Sequence, residues 1–195
     1  MRRLLTILML CPILCMAQDD VLQQFFQNIE KKTLESDFTV TMSSKATQPT
    51  SMTGHIVMHG EQFVAEIMGM EIAYDGITLY TYNEGNDELT LSNPMPDELA
   101  EVNPLLFAKA LTDLYQAETR EENGIYKVTL LPDRQNTGVQ EFTLQIRKYD
   151  LMPLSASMKE QGMKITTLLF RQPTFTTSAP YFKLEKPGAY INDLR

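Results

Sequence analysis

His55 and His59 are the only histidines in this 195-residue chain, and imidazole is the side chain that most readily ligates a metal or moves a proton near neutral pH. They lie four apart in the alternating segment HIVMH, so on a strand they share a face with Cα atoms roughly 13 Å apart. At that separation they cannot close on one ion without a bulge between them. Both cysteines, Cys11 and Cys15, fall inside the first 17 residues, so none is left to complete a tetrahedral set. The carboxylates Asp97 with Glu98, and Glu121 with Glu122, have a simpler reading as the solvated faces of a helix start and a turn. No G-x-S-x-G elbow, phosphate-binding loop or dinucleotide glycine fingerprint occurs. No catalytic residue, metal ligand or cofactor is assigned, and the chain reads as a binding protein, not an enzyme.

Methionine is the softer signal. Met42, Met52, Met58, Met68, Met70, Met95, Met152, Met158 and Met163 lie beyond residue 17, with many Phe and Tyr and no Trp. Methionine fills gaps in a core, or makes a plastic apolar surface for ligands of varied shape. The sequence leaves both readings open.

These residues need elements to position them. The one strongly amphipathic helical stretch, residues 103–117 (NPLLFAKALTDLYQA), lies between two blocks of strand-like alternation. Asn103 is placed to N-cap it and Pro104 suits its first position; Leu106, Ala110, Leu111, Leu114 and Tyr115 recur at three- and four-residue spacing. Leu105 and Phe107 widen the stripe beyond one packed face, as a lid over a sheet requires. An earlier helix, capped by Asp19 or Asp20, turns Val21, Leu22, Phe25, Phe26 and Ile29 to one side. From Ser36 the period becomes two, and short strands follow one another through HIVMH, FVAEIM, EIAY, ITLYTYN and ELTLS. Asp75-Gly76 is the strongest two-residue hairpin signal. After a short acidic helix, DELAEV, and the lid, a second meander starts at Gly124 with IYKVTLL, VQEFTLQIRK, LSASMK and MKITTLLFR. Residues 172–180 read as a loop and YFKL as one more strand. About ten strands with three helices predict a mainly β, α+β fold: one strongly curved antiparallel sheet, a barrel or half-barrel with helices on its concave face.

Residues 1–17 have the form of a secretory signal peptide. Arg2 and Arg3 precede the apolar run Leu4 to Leu14, and Cys15 and Ala17 are the small residues before a cut that would leave Gln18 first. The run is too short to span a bilayer, and a leucine before each cysteine argues against lipidation. Residues 18–195 then form a single domain large enough to bury its own core. Losing the two arginines moves the formal charge from −8 to −10, with 15 basic against 25 acidic residues. That sign opposes nucleic acid and anionic membrane surfaces.

The segment YDGITLYTY, Tyr74 to Tyr82, resembles the S-D-G-x-x-L-W-x-Y-x-P hairpin of the LolA family, periplasmic carriers of outer-membrane lipoproteins. The resemblance continues in order along nearly the whole mature chain. Phe25-Phe26 with DFTVTM resembles the first helix and strand, HIVMHGEQF the second strand and turn, and DELTLS a later strand. NPLLFAKAL is similar to the helical lid, EFTLQIRK to a late strand, and FKLEKPGAYIND to the closing F-x-F-x-x-P-x-G-x-x-V-x-D. Two positions depart from the family. Tyr80 stands where the hairpin has Trp. The turn arginine that hydrogen-bonds the lid has no counterpart, His59 and Gly60 being nearest, which puts latching of the lid in question.

The resemblance implies an unclosed barrel of about eleven strands around an apolar cavity for lipoprotein acyl chains. It implies a monomeric carrier in the periplasm of a Gram-negative bacterium, loaded by an inner-membrane lipoprotein-releasing ABC transporter and unloading to an outer-membrane acceptor. On that reading Leu105, Leu106, Phe107, Leu111 and Leu114 form the lid. Phe38, Val40, Met42, Ile56, Met58, Phe63, Ile67, Tyr74, Leu79, Leu91, Phe142, Leu144, Ile146 and Phe170 are the cavity candidates. The alternatives are a periplasmic lipid-binding sensor or envelope interaction protein of the same fold, and a lipid-ester hydrolase, which would need a nucleophile beside a base.

Overall fold

The computed structural model describes residues 19–95, 98–99, 102–111, 115–132, 138–178 and 180–195. Helix α1 (Asp19–Lys31) leads into β1 (Thr33–Ser43), β2 (Thr50–His59), β3 (Gln62–Ile67), β4 (Met70–Tyr74), β5 (Leu79–Asn83) and β6 (Glu88–Ser92). Helix α2 (Pro104–Leu111) follows, then β7 (Tyr115–Glu122), β8 (Ile125–Pro132), β9 (Val139–Arg147), β10 (Pro153–Glu160), β11 (Ile165–Thr176) and β12 (Tyr190–Asp193). All twelve strands belong to one sheet in the order β12-β6-β5-β4-β3-β2-β1-β11-β10-β9-β8-β7. Neighbours are antiparallel except β12, which runs parallel to β6. The end strands β12 and β7 are not partners, so the curved sheet stays open, as the sequence predicts for a half-barrel.

Two meanders meet at a central seam, where β1 pairs with β11 from Thr33 opposite Thr176 to Ser43 opposite Ile165. The period-two pattern explains the layering. Phe38, Ile56, Phe63, Phe142, Leu144, Ile146 and Phe170 point to one face and form the main core, which takes in Leu22, Phe25 and Ile29 of α1 and Leu105 and Ala108 of α2. A smaller cluster of Ala73, Tyr80, Leu89 and Leu184 occupies the opposite face of β4 to β6. Gly54 lies opposite Phe38. A Cβ there would press against the Glu66 carbonyl oxygen and come within 2.5 Å of Phe38 Cζ, so glycine lets that ring lie across β2.

Several boundaries correct the sequence reading. The helix expected over 103–117 ends at Leu111, and Tyr115 to Ala117 are the start of β7, paired with Leu130 to Pro132 of β8. Tyr115 is buried between exposed Gln116 and its neighbours because it points into the core from a strand, and its hydroxyl donates to the Val139 carbonyl at 3.0 Å. Ala110, expected on the packed stripe, is exposed, and Ala108 is buried in its place. Glu121 and Glu122 close β7, the turn being Asn123-Gly124 with both φ values positive. Strand β1 starts at Thr33, not Ser36, and β11 runs on through Thr176 into the expected loop. The closing strand is Tyr190–Asp193; YFKL is not a strand, although Phe182 and Leu184 are buried. The Asp75-Gly76 hairpin exists with a longer loop, Tyr74 pairing with Leu79.

Candidate functional site

The candidate site is the main core, bounded by one face of the sheet and by α1 and α2. Nine of the residues expected in it are buried there together: Phe38, Ile56, Met58, Phe63, Tyr74, Phe142, Leu144, Ile146 and Phe170. Val40, Ile67 and Leu79 pack at its margin. Met42 is half-buried outside this cluster. Leu91 is not brought to it: paired with Tyr80, it packs on the opposite face with Leu89 and Leu184. Leu34, Ala65, Val128, Leu130, Met152, Ala156 and Leu168 also belong to the core and were not among the expected cavity residues; alternation in IYKVTLL carries the signal for Val128 and Leu130.

Helix α2 seats Leu105 at 1% exposure and Ala108 at 0%, with Leu106 half-buried. The side chains of Phe107 and Leu111, and the whole of Leu114, lie outside the described residues. Asn103 caps the helix, its Oδ1 accepting the Leu105 N–H at 3.1 Å, which is the chemistry expected of Asn at that place. Between α1 and α2, among the described residues, lies a crevice of about 10 Å³ lined chiefly by Phe26, Ile29, Met58, Leu105 and Leu106. At that place the described apolar side chains leave little space. A larger depression of about 890 Å³ is lined by the charged or polar Asp37, His55, Glu66, Glu71 and Arg171 together with the apolar Phe38, Ile67, Met68 and Met70.

Lys109 ties α2 to α1 and to the turn after β2. Lys109 Nζ donates to Glu30 Oε1 of α1 at 3.0 Å and to Glu61 Oε1, in the turn after β2, at 3.1 Å. Burial alone would lower the lysine's pKa, but the hydrogen bonds it donates to Glu30 and Glu61, with their charges, outweigh it and the pKa is raised. The turn after β2 is thus joined to the lid with the polarity reversed: the cation sits on the lid and the carboxylate in the turn. Sequence reasoning missed this, since the partners are 79 and 48 residues away. The same turn supports α1, Gly60 N–H donating to the Ile29 carbonyl at 2.9 Å.

The β4–β5 loop is held by Asp75, whose Oδ1 accepts the N–H groups of Ile77 and Thr78 at 3.0 and 2.8 Å. Its Oδ2 accepts the Tyr80 hydroxyl at 3.2 Å, a bond that tyrosine supplies at the position where the family has tryptophan. Burial pushes the Asp75 carboxyl up, yet these donors and Lys183 together hold it below its ordinary value.

The two histidines have separate partners. His55 Nδ1 meets Asp37 Oδ1 at 2.8 Å and its Nε2 lies 3.5 Å from Glu35 Oε1. His59 Nδ1 meets Thr33 Oγ1 at 3.2 Å, but Thr33 is 1% exposed, so the contact satisfies a buried hydroxyl and does not present it to a substrate. Among the described residues no group of three or more His, Cys, Asp or Glu is placed to hold a metal ion, and no helix is long and apolar enough to cross a membrane.

Residues 31–162 match the family model described as outer membrane lipoprotein carrier protein LolA. No curated protein matches the chain. Among solved structures, an uncharacterized conserved protein from Thermus thermophilus is similar at 13% identity and a TM-score of 0.61, over 90% of this chain and 98% of that one. A LolA superfamily protein from Nitrosomonas europaea is similar over 82% and 94% of the two chains, at 8% identity and a TM-score of 0.43. A putative outer membrane lipoprotein-sorting protein domain from Vibrio parahaemolyticus covers 83% and 93%, at 8% identity and a TM-score of 0.44. The first of these shares the fold; the other two are too distant in shape to carry more.

Proposed function

The chain belongs to the LolA family of outer membrane lipoprotein carrier proteins, and on that premise we propose that it takes lipoprotein acyl chains into the core beneath α2 and carries them across the periplasm. Cargo would arrive from an inner-membrane ABC transporter and leave to an outer-membrane acceptor, with residues 1–17 serving for export. The supporting observation is that the core is one continuous apolar body between the sheet and α2, into which Leu105 and Ala108 are buried and against which Leu106 packs.

Their burial matters because a carrier must release what it holds. Burying a chain of a dozen methylenes is worth roughly 10 kcal/mol at about 0.8 per methylene, an upper bound, and unopposed it would make release very slow. When cargo has to displace lid residues from the same space, part of that gain is returned on unloading, and the lid drives discharge as it reseats. The Lys109 contacts to Glu30 and Glu61 add a threshold to opening. Methionine at Met58 and Met158, in or against this core, suits chains of differing length.

The test is mass spectrometry of what copurifies with the protein from a periplasmic extract. Acylated lipoproteins or their lipidated N-terminal peptides are expected. Protein free of any acyl species, together with failure to retain a fluorescent fatty acid, would overturn the reading.

A further inference from the structure

Asn103 is 0% exposed, and its side-chain Nδ2 has no hydrogen-bond partner. The rest of the residue is fully engaged. Its N–H donates to the Leu99 carbonyl at 2.9 Å, its own carbonyl accepts the Leu106 N–H at 3.1 Å, and Oδ1 accepts the Leu105 N–H at 3.1 Å. These bonds fix the amide. Flipping it would set the NH₂ group against the Leu105 N–H, two donors facing each other. The NH₂ is therefore held away from the helix end, in a segment whose neighbours Val102 and Leu105 both pack into the main core. A cap needs only the accepting oxygen. Glycine would cap this helix without bringing an unsatisfied side-chain donor inside, and buried donors are otherwise nearly always paired.

We infer that the Asn103 amide is a hydrogen-bond donor for a carbonyl oxygen of a bound acyl ester or amide, at the root of α2. The inference rests on the acyl-carrier reading above and deepens it. The hydrocarbon is held by apolar contact alone, whereas the acyl carbonyl is recognised by this one donor. Empty, the protein leaves the donor orphaned; loaded, it is satisfied. The carbonyl is then fixed at the lid's first turn and the chain runs inward from it.

The experiment compares three ligands of equal chain length: monopalmitoylglycerol, palmitoylethanolamide and the hexadecylglycerol ether, which lacks the carbonyl. Affinities are read by displacement of a fluorescent fatty acid from the full mature chain. The wild type should bind ester and amide about tenfold tighter than ether, the worth of one hydrogen bond in a dry site. In Asn103→Gly, which has no side-chain donor and is a tolerated cap, the ratio should fall to about one. Asn103→Ala, which likewise carries no donor, should give the same ratio and covers the case in which the first variant does not fold. A wild type that fails to distinguish ester from ether, or variants that keep the preference, would overturn the role of Asn103 while leaving the carrier reading intact. Binding of none of the three would overturn both.

Discussion

Replacing Lys109 with methionine should loosen the lid without disturbing the sheet. The substitution keeps the length of the stem, which lines the crevice between α1 and α2, and removes the ammonium held by Glu30 and Glu61. The lysine side chain is 36% exposed and the two carboxylate side chains 51% and 58%, so solvent screens both pairs. Pairs this exposed contribute roughly 0.2–1 kcal/mol each, and sharing one ammonium brings the total to about 1 kcal/mol. That corresponds to about a fivefold shift in the opening equilibrium. Stopped-flow loading of a fluorescent fatty acid is the assay, at matched folded fraction. Loading limited by opening should be about fivefold faster in the variant near 0.01 M salt, where the Debye length is about 30 Å, and the difference should shrink near 1 M, where it is about 3 Å. Equal loading rates at low salt would refute the latch. A full-sized difference that persists at high salt would mean that packing, not charge, had changed.

Leu105→Ala removes a side chain that is 1% exposed and should cost about 2–5 kcal/mol in thermal or denaturant unfolding; a loss under about 0.5 kcal/mol would show that α2 is not part of the cooperative core. Asp75 has a lowered carboxyl pKa, so its stabilisation is complete above about pH 4 and is lost as the pH falls through the lower folded value. Asp75→Asn keeps an oxygen for the loop N–H groups and should flatten the acid limb of a Tm–pH curve, and an unchanged limb would refute the assignment. N-terminal sequencing of exported protein should begin at Gln18, and an acylated cysteine would contradict a freely diffusing carrier.

What could be read from the sequence was whatever the local period decides. Phe38 and Phe142 were legible because each has polar neighbours on both sides, and Ile56, Phe63 and Phe170 because each has one, His55, Gln62 and Arg171. Leu91 was misplaced because β6 has apolar residues facing a second cluster behind the sheet, and a period of two does not say which face is the inner one. Tyr115 was lost to chance: its spacing from Leu111 imitates a helix, while strand pairing with Pro132 decides its conformation. Strand β7 was invisible for a related reason. An edge strand with Glu118, Arg120 and Glu122 on its exposed positions carries no run of β-formers, the charges serving to block further pairing. The contacts of Lys109 lay beyond any local pattern, since they depend on the sheet bringing the turn after β2 under α2.

The seam between β1 and β11 also governs how the protein is made. Thr33 cannot meet Thr176 until almost the whole chain is available, so the middle of the sheet is a late, long-range event in any delivery that starts at the N-terminus. The meander from β2 to β6 forms from near neighbours and can assemble early, leaving one flank of β1 with an unpaired ladder and the faces of Phe38 and Val40 uncovered. Folding of this chain is accordingly expected to be slow for its size and sensitive to loss of β11. A truncation before Ile165 removes the partner of the central strand and should yield an aggregating fragment, not a smaller carrier.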